Sequence, residues 1–139
     1  IKAERQTPMT GNVVFAGANA LFSTAQDYAT FARMLLNGGE WNGKRFISPK
    51  TLEIMTMDQA NGLFQDPGYE FGFGFAVLDD LADAKSLGSE GQYFWSGAYC
   101  TYFFIDPEED LISIMMTQTA PYSNYYPAKM RQMVYQAVE

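Results

Sequence analysis

Histidine does not occur in these 139 residues, and that absence closes off more chemistry than any other feature of the composition. Without it there is no Ser-His-Asp or Cys-His pair to activate a nucleophile, and no imidazole to ligate a metal. Cysteine is nearly as scarce. The single Cys100 can form no disulfide within the chain; its place inside a β-prone run reads as a buried structural thiol and carries no information about compartment. Basic residues are few and scattered: 9 Lys and Arg stand against 16 Asp and Glu, for a net charge of −7, so no basic stripe exists to meet a nucleic acid. No run approaches the roughly 18 consecutive apolar residues of a membrane span. The Gly- and Ala-rich segment Gly17–Leu21 lacks the lysine and spacing of a phosphate loop and reads as a tight-packing connection. The chain opens on Ile1-Lys2-Ala3-Glu4 with neither an initiating Met nor a signal peptide, which sets the expectation of a fragment with residues missing upstream.

What is present is apolar and aromatic. Hydrophobic residues make up 47% of the chain, which suits one domain with its own core or a piece of a larger one. Val13-Val14-Phe15 is at most a short extended piece. Ser23, answered by Gln26, reads as the cap of a helix over 24–36, with Tyr28, Phe31, Ala32 and Leu35 at helical spacing and Asn37-Gly38-Gly39 as the stop. Asn42-Gly43 between short apolar pieces predicts a hairpin, and Ser48-Pro49 starts a second helix reaching about Asp58. Residues 59–70 read as a loop. Tyr69–Leu78 reads as one strand, with Phe71, Phe73 and Phe75 on a bulky face and Gly72, Gly74 and Ala76 on a bare one. Residues 79–89 form a polar connection. Pro127 starts a last helix with Met130, Met133, Val134 and Ala137 turned inward.

The stretch Gly91–Ile105, GQYFWSGAYCTYFFI, is the candidate for chemistry. It is β-prone and broken once by Trp95-Ser96-Gly97-Ala98, and glycine inside a strand pattern marks a close approach by a ligand or another backbone. Asp106–Asp110 is turn material, and Leu111–Met116 is a further strand. Both runs are apolar at odd and even positions, which predicts an antiparallel sheet covered on both faces. We expect an α+β fold in which 1–68 is mainly helical and 69–139 carries three antiparallel strands, Tyr69–Leu78, Gln92–Ile105 and Leu111–Thr117, and a C-terminal helix.

On these residues the chain resembles the serine β-lactamase-like superfamily, in its class C, esterase and penicillin-binding-protein-like branch. The resemblance rests on Ser23-Thr24-Ala25, Asp27-Tyr28, Phe31-Ala32, Met34–Gly39 and Ser48-Pro49, then on Tyr69–Phe75, Trp95-Ser96-Gly97 and Thr101-Tyr102-Phe103 through Asp106-Pro107. It covers most of the chain from about residue 13. It implies acyl transfer from an ester, amide or β-lactam to a serine in an S-x-x-K motif, assisted by a Y-x-N tyrosine, with no metal or organic cofactor. Trp95-Ser96-Gly97 matches the third motif in its W-G-G form; this resemblance assigns Trp95, Ser96 and Gly97 to the substrate pocket and the Ala98 backbone N–H to the oxyanion hole.

Two departures accompany the match. Relatives carry glycine where this chain has Ser96, and many carry glycine near Cys100. No serine has a lysine three residues on, and Tyr122-Ser123-Asn124 spells Y-x-N only after the third motif, so it reads as a coincidence in a loop with Asn124 near the start of the last helix. The expectation is therefore the C-terminal part of a serine hydrolase, inert alone. Its partners would be a small-molecule substrate, the missing N-terminal part of the fold and, through an exposed strand edge, other copies of itself. The alternative is a noncatalytic peptide- or sugar-binding domain using Tyr93, Trp95, Tyr99 and Tyr122.

Overall fold

The structure is a computed structural model that describes Gly11 and residues 21–138. Val13–Phe15 and most of Gly17–Leu21 lie outside the described residues.

The first helix, α1 (Ala25–Leu36), is capped one residue later than expected, because Thr24 and not Ser23 forms the reciprocal pair. Thr24 Oγ1 accepts from the Asp27 N–H at 3.1 Å and donates to the Asp27 carboxylate at 2.9 Å. Gly38 and Gly39 end it at φ 66° and 89°, and a Cβ at Gly39 would lie 2.0 Å from the Ile47 carbonyl oxygen. Strands β1 (Glu40–Trp41) and β2 (Lys44–Arg45) pair around Asn42-Gly43, both at positive φ as the tight hairpin turn requires. Ser48 caps α2 (Pro49–Met55), which ends short of Asp58.

The main sheet has five antiparallel strands in sequence order: β3 (Tyr69–Phe71), β4 (Ala76–Leu78), β5 (Tyr93–Ser96), β6 (Tyr102–Asp106) and β7 (Leu111–Met115). The α+β antiparallel arrangement stands, but the three runs expected as strands give five, because two of them fold back on themselves. Tyr69–Leu78 is a hairpin and not one strand with a bare face. Its glycines make the turn: Gly74 sits at φ 91°, and a Cβ at Gly72 would lie 2.0 Å from the Met55 carbonyl oxygen, where the end of α2 crosses. The turn is tied there by the Phe73 N–H to the Met55 carbonyl at 2.9 Å. Gln92–Ile105 likewise bends at Gly97–Thr101. Between the hairpins, the polar connection includes the short α3 (Leu81–Ala84), capped by Asp80.

One face of the sheet carries Val77, Tyr93, Phe103 and Ile105 and packs under α1, where Tyr28 meets Phe103 with ring centroids 5.0 Å apart. The other face carries Phe94, Tyr102 and Phe104 beneath α4 (Tyr125–Tyr135). This helix begins before Pro127, and Asn124 stands at its N-cap without a side-chain cap bond. Its buried face is also not the expected one. Met133 is exposed, whereas Pro127 and Arg131 are buried. The docking is polar: the Tyr135 hydroxyl donates to the fully buried Asp106 at 2.5 Å and accepts from Gln92.

Candidate active site

Strand β5 is the place where the sheet opens. It pairs with β6 along its whole length, Tyr93↔Ile105 through Ser96↔Tyr102, but its ladder with β4 stops at Ala76↔Phe94. From Trp95 onward β4 no longer covers its outer edge. The parity of the bonds fixes which groups face that edge. The Leu78 N–H donates to the Gln92 carbonyl at 2.8 Å on the β4 side, and the Gly97 N–H donates to the Thr101 carbonyl at 2.8 Å on the β6 side. Even-numbered Ser96 therefore turns its backbone groups to the uncovered edge.

Beyond Ser96 the chain makes a three-residue hairpin loop. The Cys100 N–H donates to the Gly97 carbonyl at 3.0 Å, with Ala98 and Tyr99 as the central residues, and Cys100 follows in the left-handed region at φ 59°. The Ala98 N–H has no hydrogen-bond acceptor among the described residues, and Ala98 is exposed. A Cβ at Gly97 would lie 2.3 Å from Thr101 Oγ1, so a side chain here would have to displace the Thr101 hydroxyl.

The side chains divide between the two faces of the sheet. Trp95, 42% exposed, stands edge-on to Phe71 with centroids 4.9 Å apart and also near Phe64. Ser96 points to the α4 side, where its Oγ accepts from the Tyr122 hydroxyl at 3.1 Å. Next to it opens a cleft of about 570 Å³ whose walls include Tyr69, Phe94, Tyr102, Tyr122 and Arg131. Burial pushes the Tyr102 hydroxyl up to about 12, against the opposing pull of the Arg131 guanidinium.

All four residues singled out from the sequence, Trp95, Ser96, Gly97 and Ala98, thus lie on one open strand end and its turn. Tyr122, grouped with Trp95 and Tyr99 only as part of an aromatic face, instead meets Ser96, because loop length and turn geometry, not spacing, bring it there. Cys100 is fully buried, as expected, and its sulfur accepts from the Ser123 N–H at 3.3 Å. The four aromatics of a binding face do not assemble into one: Tyr93 is buried in the core, and Trp95 and Tyr122 stand on opposite sides of the sheet. Among the described residues no cluster of three or more His, Cys, Asp or Glu could hold a metal, and no helix is long and apolar enough to cross a membrane.

Comparison with known proteins gives this geometry its setting. The structure resembles EstCE1, a hydrolase with promiscuous acyltransferase activity, with 30% identity, a TM-score of 0.68 and 80% of this chain covered. It also resembles the unliganded simvastatin synthase LovD from Aspergillus terreus at 16% identity, a TM-score of 0.58 and 78% of this chain, a likeness of fold alone. In both the match is to the C-terminal part. Among curated proteins, Protein Rv1367c of Mycobacterium tuberculosis (strain ATCC 25618 / H37Rv) is 35% identical over 113 residues, 73% of this chain. The chain spans 28% of that relative's length and 29% of EstCE1. The Beta-lactamase family model matches residues 2–136, nearly the whole sequence, and the chain therefore belongs to the Beta-lactamase family of serine hydrolases.

Proposed function

We propose that this chain supplies one wall of a serine-hydrolase active site and half of its oxyanion hole, for acyl transfer from a small ester, amide or β-lactam to a serine that lies outside the chain. The observation that carries the proposal is the uncovered end of β5, with the unpartnered Ala98 N–H at its tip. In the tetrahedral intermediate of acyl transfer a carbonyl oxygen becomes an anion, and a backbone N–H already fixed in a hairpin turn stabilises it without reorganising. Gly97 leaves the approach along the edge open, Trp95 forms the wall on the α1 face, and Ser96 faces the cleft on the α4 side. EstCE1, a hydrolase with acyltransferase activity, supports the reaction class at 30% identity.

None of the seven serines, Ser23, Ser48, Ser86, Ser89, Ser96, Ser113 and Ser123, has the lysine three residues on that would activate it. The chain by itself is accordingly inert, and its partner is the N-terminal part of the same fold. A fluorophosphonate probe on the full-length protein that contains this chain tests the assignment. Peptide mapping should place the label on a serine outside residues 1–139, with no labelling and no turnover of nitrophenyl esters by the 139-residue chain. A labelled serine within the chain would overturn it.

A further inference from the structure

We propose that three aromatic rings, Trp95, Phe71 and Phe64, form a wall that selects esters carrying an aryl group, with Phe64 as a specificity-determining residue and Asp58 as the residue that positions it. The proposal deepens the acyl-transfer reading and rests on it. The rings come from the end of β5, the end of β3 and the loop over 59–68, and they close into a triangle. Trp95 and Phe71 have centroids 4.9 Å apart at 76°, Phe71 and Phe64 5.2 Å apart at 40°, and Phe64 and Trp95 6.5 Å apart at 52°. Each separation lies in the range over which aromatic rings attract one another.

Position sets this cluster apart from the core. The buried residues under α1, among them Leu35, Phe75, Tyr93 and Phe103, include none of the three rings. Phe64 and Phe71 are half-buried, Trp95 is exposed, and Leu63 beside Phe64 is nearly fully exposed. The rings stand where β4 stops covering β5, so their open faces adjoin the strand edge that the substrate must approach. Trp95 precedes Ala98 by three residues, about 10 Å along an extended strand. An ester whose carbonyl oxygen meets the Ala98 N–H therefore reaches the wall with a ring on a short linker.

An ordered turn holds Phe64 in place. The Asp58 carboxylate accepts from the Ala60 N–H at 2.8 Å and from the Asn61 N–H at 3.1 Å, and the Leu63 N–H donates to the Ala60 carbonyl at 3.0 Å. Asn61 and Gly62 turn the chain through the left-handed region, at φ 49° and 75°. The Gln59 N–H donates to the Phe71 carbonyl at 2.9 Å, which ties the loop to the strand end that carries the second ring. A ring fixed in advance binds a partner ring without first losing its own freedom, and Asp58 supplies two of the bonds that fix it.

The test compares aromatic and saturated rings of the same size on the full-length protein. Nitrophenyl 4-phenylbutanoate against nitrophenyl 4-cyclohexylbutanoate places the ring on the acyl side, and the acetates of 3-phenylpropanol and 3-cyclohexylpropanol place it on the alcohol side. We expect kcat/KM to favour the phenyl member about three- to tenfold in one series, which identifies the side of the ester that meets the wall. Phe64→Leu keeps an apolar side chain and loses the ring; it should cut that preference about threefold or more, mainly through KM. Asp58→Ala should do the same, and Asp58→Asn, whose amide oxygen still accepts from both N–H groups, should restore the parent preference. Both esters are read on the same variant, so a loss of folded protein lowers both rates and leaves their ratio unchanged. Equal rates for the two rings in both series, or a preference that survives Phe64→Leu, overturns the proposal while leaving acyl transfer standing; it is also the outcome if the N-terminal part of the fold covers the rings. An Asp58→Ala ratio equal to the parent's overturns the positioning role of Asp58. A full-length protein that hydrolyses none of the four esters defeats the acyl-transfer reading and this proposal with it.

Discussion

Replacing Ala98 by proline removes one proton and little else. Ala98 is the first central residue of the Gly97–Cys100 turn, closed by the Cys100 N–H to the Gly97 carbonyl at 3.0 Å, and neither it nor Tyr99 is at positive φ. Proline is favoured at this position of such a turn, and the preceding residue is a glycine in an extended hairpin arm, which tolerates a following proline. The Ala98 N–H donates to no described residue, so no structural hydrogen bond is lost. The folded state should be unharmed, and the stiffer unfolded chain should add about 0.4–1 kcal/mol of stability. Catalysis should suffer in proportion to a lost oxyanion donor, about 3–4 kcal/mol or a factor of about 100 to 1,000 in kcat. The assay is steady-state and burst kinetics on a nitrophenyl ester with the full-length protein, beside a thermal melt. Ala98→Gly, which keeps the N–H, should stay near the parent rate. A proline variant that melts no lower and turns over within about threefold of the parent would refute the role of this N–H.

Gly97→Val in the full-length protein should lower ester hydrolysis at least about tenfold, since it obstructs approach to the strand edge. Because a Cβ at 97 also meets Thr101 Oγ1 at 2.3 Å, the Gly97→Val/Thr101→Ala double variant should stay equally slow, and recovery there would locate the damage in the hairpin instead. The Tyr102 hydroxyl, raised from 10.0 to about 12 chiefly by burial, contributes stability that is whole below pH 10 and is lost as pH climbs through about 12. Tyr93 and Tyr135 are raised by burial as well and add to the loss, so Tyr102→Phe should reduce the fall in urea-derived stability across that window by an amount on the order of 2 kcal/mol; a variant whose stability falls as steeply as the parent's contradicts the assignment. Cys100→Gly relieves about 1 kcal/mol of left-handed strain but strips the half-buried Ser123 N–H of its acceptor, a loss of about 1–3 kcal/mol, so a net fall in melting temperature and faster hydrogen exchange at Ser123 are expected; a rise would show that strain dominates. Among the described residues β7 has no outer neighbour, and light scattering should report self-association of the 139-residue chain, whereas a monomer at high concentration would tell against pairing along that edge.

The sequence announces those parts of the fold that local chemistry decides. Asn42-Gly43, Ser48-Pro49 and the double glycine after α1 each specify their turn or cap within a few residues, and each is found in place. The hairpin at Gly97–Thr101 is legible only as a break in a strand pattern, and the one at Gly72–Phe75 reads as an unbroken strand. Alternation of Phe with Gly over 71–75 fits a strand with a bare face as well as it fits a turn, and only the Met55 carbonyl against Gly72 decides between them. The inward face of α4 was hidden for another reason. An arginine at helical spacing reads as solvent-facing, and its burial depends on a cage of Tyr69, Phe94, Tyr102 and Phe104 drawn from strands far apart in sequence. The same logic applies to the site. Trp95, Ser96, Gly97 and Ala98 were visible as a local pattern, while Tyr122 reaches Ser96 across 26 residues.

That long-range contact also connects Ser96 and Cys100, the two positions where the resemblance to W-G-G relatives leads to an expectation of glycine. Ser96 and Cys100 look independent in sequence, yet both side chains engage the loop that follows β7. Ser96 Oγ accepts from Tyr122, and Cys100 Sγ accepts from the adjacent Ser123 N–H. A glycine at either position would remove one of the two attachments, and a glycine at both would leave this part of the loop with neither. The backbone strain at Cys100, φ 59° in a residue that is not glycine, is thus retained beside an attachment that it makes possible. The loop in turn sets the wall of the cleft at its Ser96 end, because Tyr122 lines that cleft. The shape of the cleft at its Ser96 end is therefore governed jointly by Ser96, Cys100 and Tyr122, and a change at one of them alters a surface that the other two still hold.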